Sequence, residues 1–337
     1  MAATVTRRSL LGLGAALGGA VLLGGPAAAA SAAGVPASAQ VVPAAGGPWP
    51  DLLHLPDGFH PDGIAVGPAP YAWFGSLLGG AIYRADLRTG AGTVIYPGTN
   101  PGVFDPRYMA LGLHADPRGR LFVGGGWGRV IKVHDAVAGT LLRSYDVGVA
   151  DSAVAFTTAA AGTVWFTDGF QPLLYGLPLG PRGELPGPDR VVTLTLGGDW
   201  VQAGGGAVSA SGICPTPDRS ALLVVNVAPD GGLFRVDPAT GYARRVDLGG
   251  LTLPTTNGIA LRGRTLYAPR LTDVVVLRLS PDGTCGEQVG LITDPRFDMP
   301  SAAAVYADRL YVTNGNFDEP PVPQTRYNAV AVPLNTR

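Results

Sequence analysis

Five oxygen-bearing side chains recur at one place in a repeated pattern of this 337-residue chain: Asp62, Asp151, Ser211, Asn257 and Ser301 each stand at or near the start of a short run of small and apolar residues. His60 comes just before the first, and Leu111 fills the same place in a sixth copy. Two carboxylates joined by hydroxyl and amide oxygens suit a hard cation better than zinc. Asp62, Asp151, Ser211 and Asn257 are therefore candidate ligands for calcium or another divalent cation. A second set follows the next apolar run of five copies: Trp127, Asp168, Asn226, Arg270 and Asn314. With His60, four of these (Trp127, Asn226, Arg270 and Asn314) read as lining for a small-molecule ligand. Each residue also has a plainer reading. Asp62 belongs to a Pro-Asp-Gly triplet that recurs at 56–58, 229–231 and 281–283 as turn chemistry. Asn257-Gly258 is a turn signal, Asp151-Ser152 can cap a strand, Ser211 can be a small filler, and Asp168 can bond its own loop.

Other chemistries find little support. The chain has four His and none in a His-x-His spacing, which argues against a copper or zinc centre. Its Gly-rich runs at 124–126 and 204–206 lack a following Lys-Ser/Thr, so they do not read as phosphate loops, and no Gly-x-Ser-x-Gly elbow occurs.

The elements that must position these residues form a repeat. Six short strands with an aromatic or aliphatic centre stand at Tyr71–Gly75, Arg120–Gly124, Thr163–Thr167, Ala221–Val225, Arg264–Ala268 and Arg309–Thr313. They lie roughly 40 to 60 residues apart, the period of a propeller blade. Each is preceded by a small-residue strand and followed by an alternating one, a turn and a further strand. The sixth copy lacks its fourth strand, and Asp51–Pro56 is a spare one at the other end of the repeats. Pairing the two closes the ring and covers an exposed sheet edge. The expected fold is all-β, a six-bladed β-propeller with four antiparallel strands per blade; a β-sandwich does not explain six copies of one unit. In such a ring the starts of the innermost strands meet at the channel mouth.

A formal net charge of −1 gives no field for nucleic acid or an anionic membrane, and Gly 50 with Pro 31 serve as turn punctuation between apolar runs. Residues 1–39 read as a twin-arginine-type signal peptide: Arg7-Arg8, an apolar stretch from Leu10 to Leu23, and a small-residue end at Ala37-Ser38-Ala39. Residues 40–50 read as a linker and 51–337 as the propeller. The expected location is secreted or extracytoplasmic, with no stable membrane insertion after cleavage, and the expected state a monomer. An oxidising compartment permits a disulfide, but Cys214 falls in an inner strand and Cys285 in an outer turn, which favours one buried thiol and one partly exposed.

Through the blade pattern and the segments His60–Val66, Asp116–Arg120 and Asn257-Gly258, the chain resembles the senescence-marker-protein/gluconolactonase (strictosidine-synthase-like) family of six-bladed propellers over about residues 51–335. The resemblance implies hydrolysis of a lactone or ester with one bound divalent cation, usually calcium. It places that family's acidic ligand on Asp62 and its other ligand positions on Ala150 beside Asp151, on Ser211 and on Asn257. The family's fifth-blade Asp, also its general base, is Asn257 here, and an amide cannot accept a proton in that role. Asp151 or Asp168 would then have to serve as base. A binding propeller that has lost the metal site is the alternative, and a metal-free isomerase or cyclase a third.

Overall fold

The computed structural model describes residues 49–334 and contains twenty-five strands in six sheets. The expected signal segment over 1–39 and all but the last two residues of the linker lie outside the described residues. No helix among the described residues is long and apolar enough to cross a membrane. Blade 1 is β2 (Pro61–Val66), β3 (Tyr71–Ser76), β4 (Ile82–Asp86) and β5 (Gly92–Tyr96). Blade 2 is β6 (Leu113–Ala115), β7 (Arg120–Gly124), β8 (Val130–Asp135) and β9 (Leu141–Asp146). Blade 3 is β10 (Val154–Ala160), β11 (Thr163–Asp168), β12 (Leu173–Pro178) and β13 (Val192–Thr195). In blade 4, β15 (Ala210–Pro215), β16 (Leu222–Asn226), β17 (Gly232–Val236) and β18 (Tyr242–Arg245) are joined by a two-residue strand β14 (Gly197–Gly198), parallel to β18. Blade 5 is β19 (Ala260–Arg262), β20 (Thr265–Pro269), β21 (Val274–Leu279) and β22 (Gly286–Ile292).

The last blade is assembled from both ends of the chain. To β23 (Pro300–Tyr306), β24 (Arg309–Asn314) and β25 (Asn328–Pro333) it adds β1 (Leu52–His54), with Leu52 opposite Val330 and His54 opposite Asn328. The second strands carry the core: Phe74, Phe122, Phe166 and Tyr311 are fully buried between blades, where the hydrophobic term is largest.

Small residues in the inner strands answer to a measurable crowding. A Cβ added to Gly63 would sit 2.2 Å from the Leu111 carbonyl oxygen, one on Gly112 2.4 Å from Phe156 Cα, and one on Gly212 2.2 Å from the Asn257 carbonyl oxygen. One on Gly258 would lie 2.5 Å from Ala302 Cβ. At each of these places the inner strand touches the backbone or Cβ of the next blade, a distance only glycine permits. Cys214 is buried and Cys285 exposed, both as free thiols, and burial pushes the Cys214 thiol up.

Candidate functional site at the blade axis

The inner strands do not begin as regular ladders. The register shifts between Pro61 and Ile64 in blade 1, Val154 and Thr157 in blade 3, Ala210 and Ile213 in blade 4, and Pro300 and Ala302 in blade 6. Such bulges re-aim the side chains that fall in them. The residues just before the close-contact positions then form one ring: Asp62, Leu111, Ala155, Ser211, Asn257 and Ser301.

Backbone and side-chain bonds tie most of this ring together. Ser211 Oγ donates to the Asn257 carbonyl at 3.2 Å, Gly258 N to the Ser301 carbonyl at 2.8 Å, and Ser301 Oγ to the Asp62 carbonyl at 2.7 Å. Thr167 Oγ1 donates to the Ser211 carbonyl at 2.9 Å, tying blade 3 to blade 4.

Asp62 is the one ring residue with a charge. Its side chain is buried, neither carboxylate oxygen has a hydrogen-bond partner, and burial raises its pKa to about 7. His60, two residues earlier, is held in the left-handed region at φ 48°. Its ring stacks on Tyr327 at 5.7 Å and lies 5.8 Å from Phe317, both ring nitrogens are unpartnered, and burial lowers its pKa to about 4. The pair thus reverses the ordinary order of the two residue types. Near neutral pH burial therefore favours a proton on the acid and a neutral imidazole.

Several sequence-based assignments are corrected by this geometry. Blade 3 contributes Ala155 to the ring, whereas Asp151 lies in an exposed turn with φ 53°, its carbonyl accepting from Gln171 Nε2. The bulge between Val154 and Thr157 holds Ala155 where the one between Pro61 and Ile64 holds Asp62. Asp168, proposed as a base, is occupied: its carboxylate accepts from Ser152 Oγ at 2.6 Å, from the Tyr175 hydroxyl at 2.7 Å, and from the backbone N–H groups of Ala153, Phe170 and Gln171.

Asn314 and Asn226 do related structural work. Asn314 donates to the Arg296 carbonyl at 2.8 Å and accepts from Asp298 N at 2.9 Å, and Asn226 donates to the Val201 carbonyl at 2.8 Å. With Asp168 and with Ser76, which donates to the Phe59 carbonyl, they end the second strand of four blades and clamp the loop that leads into the same blade's inner strand. Arg270 is held by Asp273 through Nε at 2.7 Å and a second nitrogen at 2.9 Å. Trp127 packs on Phe170 at 5.1 Å and lines a groove that includes none of the ring residues.

The ring fits a resident divalent cation poorly. Calcium takes six to eight oxygens and gains affinity from carboxylate count. Here one carboxylate is present, Leu111 and Ala155 bring no side-chain donor, and among the described residues no group of three His, Cys, Asp or Glu gathers around a point. At the other pole, a cavity of about 490 Å³ is lined by the ends of the inner strands, among them Val66, Ala115, Thr158, Cys214 and Val305. Phe156 stands between the two regions. It is buried, and its ring extends from blade 3 past blade 4, so that Cε1 would lie 3.1 Å from a Cβ on Gly258 of blade 5.

Fold and ring define a class: a six-bladed β-propeller with a polar girdle at one pole of its axis. No protein-family model matches the chain, and no curated protein matches its sequence. Among solved structures it is similar to the major allergen Mala s 1 of Malassezia sympodialis, at 15% identity and a TM-score of 0.65 over 84% of this chain and 96% of that one. It is also similar to a gluconolactonase from Xanthomonas campestris (17%, 0.57, covering 83% and 89%). A third is the calcium-binding protein regucalcin from Agrobacterium tumefaciens (15%, 0.57, covering 86% and 96%). At these identities the likeness is one of fold.

Proposed function

We propose that this chain is an extracytoplasmic propeller of gluconolactonase-like architecture that binds a small polar molecule at the axial ring and does not hydrolyse it. The observation that carries this reading is Asp62, a buried carboxylate with no partner on either oxygen. An uncompensated buried carboxylate costs several kcal/mol in its ionised form and is relieved by a proton, a cation or a donor group on a ligand. The hydroxyls of Ser211 and Ser301 spend their protons on the Asn257 and Asp62 carbonyls, so the ring favours a ligand that brings a cationic or hydrogen-bond-donating group to Asp62. Hydrolysis needs a second group to move a proton. Asp168 is engaged by five donors and Asp151 is exposed in a turn, so neither supports that role.

A cation-dependent lactone or ester hydrolase is the second reading, favoured by the same unpaired carboxylate and by the fold shared with a gluconolactonase and a calcium-binding regucalcin. Thermal melting against amine-bearing and polyhydroxylated small molecules, and against calcium, separates the two. The binding reading expects midpoint shifts with an organic ligand, loss of those shifts in Asp62→Asn, and lactone turnover at background with or without calcium. Calcium-dependent lactone turnover that disappears in Asp62→Asn would replace it with the hydrolase.

A further inference from the structure

The chain contains a single lysine, Lys132, among 24 basic residues that are otherwise all arginine. Most arginines whose partners are seen sit beside an acid two to four residues away, as in Asp86–Arg88, Asp105–Arg107, Arg270–Asp273 and Asp294–Arg296. Lys132 has Asp135 three residues on, but that carboxylate accepts from the backbone N–H groups of Val137 and Ala138 and forms no ion pair with it. It projects from β8, opposite Ser144 of β9, and is half-buried in a groove of about 320 Å³ at the seam of blades 1 and 2. Among the described residues its ammonium has no hydrogen bond or ion pair, and neither does the guanidinium of Arg129, which lines the same groove.

The walls are aromatic and fixed. Trp127 and Tyr108 line the groove, and Trp127 is braced by Phe170. Gly128 lets the blade 1 loop lie directly on blade 2, since a Cβ there would fall 2.3 Å from the Arg107 carbonyl oxygen. Arg107 is the third cation in the lining, and its charge is met by Asp105. Burial also lowers the pKa of Lys132, the direction expected of an ammonium with no anion beside it.

We propose that this groove is a binding site for a small planar organic anion, its carboxylate or phosphate held by Lys132 and Arg129 and its ring by Trp127 and Tyr108. Two unpaired cations at one concave site, Lys132 half-buried and Arg129 exposed at its edge, favour an oxyanion. Flanking aromatic faces favour a flat apolar body. The site is separate from the axial ring and stands whether or not that reading holds.

Lys132 being the only lysine gives a direct test. Reductive methylation of the folded protein, followed by mass spectrometry, reports on Lys132 alone, with the N-terminal amine as internal control. Benzoate or phenyl phosphate should slow labelling of Lys132 about tenfold at saturation without affecting the N-terminus. Whichever of the two protects at lower concentration identifies the head group. Arg129→Gln should raise the half-protecting concentration about tenfold, the loss expected for one charge-assisted contact, and Asp62→Asn should leave protection unchanged. The proposal is overturned if neither anion protects up to ~10 mM, if neutral benzyl alcohol protects equally, or if inorganic phosphate protects as well as phenyl phosphate, which would leave the aromatic walls without a role. The wild-type ligand series decides the matter even if the variant folds poorly.

Discussion

At Asp62 and His60, burial pushes an acid and a base toward each other on the pH scale, and the two effects oppose one another in stability. Asp62 rises to about 7, so between about 4 and 7 the folded chain holds a proton that the unfolded chain has released, and its contribution to stability falls as pH rises. His60 drops to about 4; between about 4 and 6.5 the unfolded chain binds a proton that the folded one does not, and stability falls as pH drops. Each amounts to roughly 3–4 kcal/mol over its window at about 1.4 kcal/mol per pH unit. Relative to wild type, Asp62→Asn should therefore gain stability as pH climbs from 4 to 7. His60→Asn, which tolerates the left-handed backbone, should gain as pH falls from 6.5 to 4. Urea midpoints at intervals across that range test both signs, and parallel curves for all three proteins would refute the burial argument. The candidate site was only partly legible at this scale. A polar residue ending the second strand recurs as Ser76, Asp168, Asn226 and Asn314, and that recurrence marks a clamp needed by many blades rather than one reacting group. The ring position, by contrast, changes from blade to blade, as a ligand-specific site would.

Bulges decide which residues reach the axis, and they explain why the strands were easier to read than the ring. The recurring aromatic or aliphatic centre located the second strands of all six blades to within a residue. In blade 3 an alanine at the ring position and a phenylalanine after it carry no polar or glycine signal, so the polar Asp151 four residues earlier drew the assignment instead of Ala155. The glycine that follows the ring residue in blades 1, 2, 4 and 5 is the better marker, because the next blade occupies the place of its side chain; blade 3, with Phe156 there, lacks it. Gly212→Ala should force the Asn257 carbonyl aside and cost about 2–3 kcal/mol, seen as a lowered urea midpoint. Gly204→Ala, with nothing within 4 Å of the added atom, should stay within about 0.5 kcal/mol of wild type.

For the whole molecule, one short strand joins the beginning of the described chain to its end. Leu53 of β1 is fully buried, and its partners lie in β25, some 275 residues away in sequence. The spare N-terminal strand and the missing last one made this pairing readable from a simple count. Removing residues 49–54 would expose the edge of β25, so the truncated protein should elute from size exclusion as oligomers or aggregate. Leu53→Ala should cost about 2–4 kcal/mol and elute at the same position as wild type. A truncated chain that elutes as wild type does, with an unchanged melting point, would show that closure lies elsewhere.

Phe156 has a bearing on the depth of the axial hollow. Where other blades place glycine or alanine, blade 3 sets an aromatic ring that helps line the cavity of about 490 Å³. A smaller side chain there should deepen that hollow toward the polar girdle.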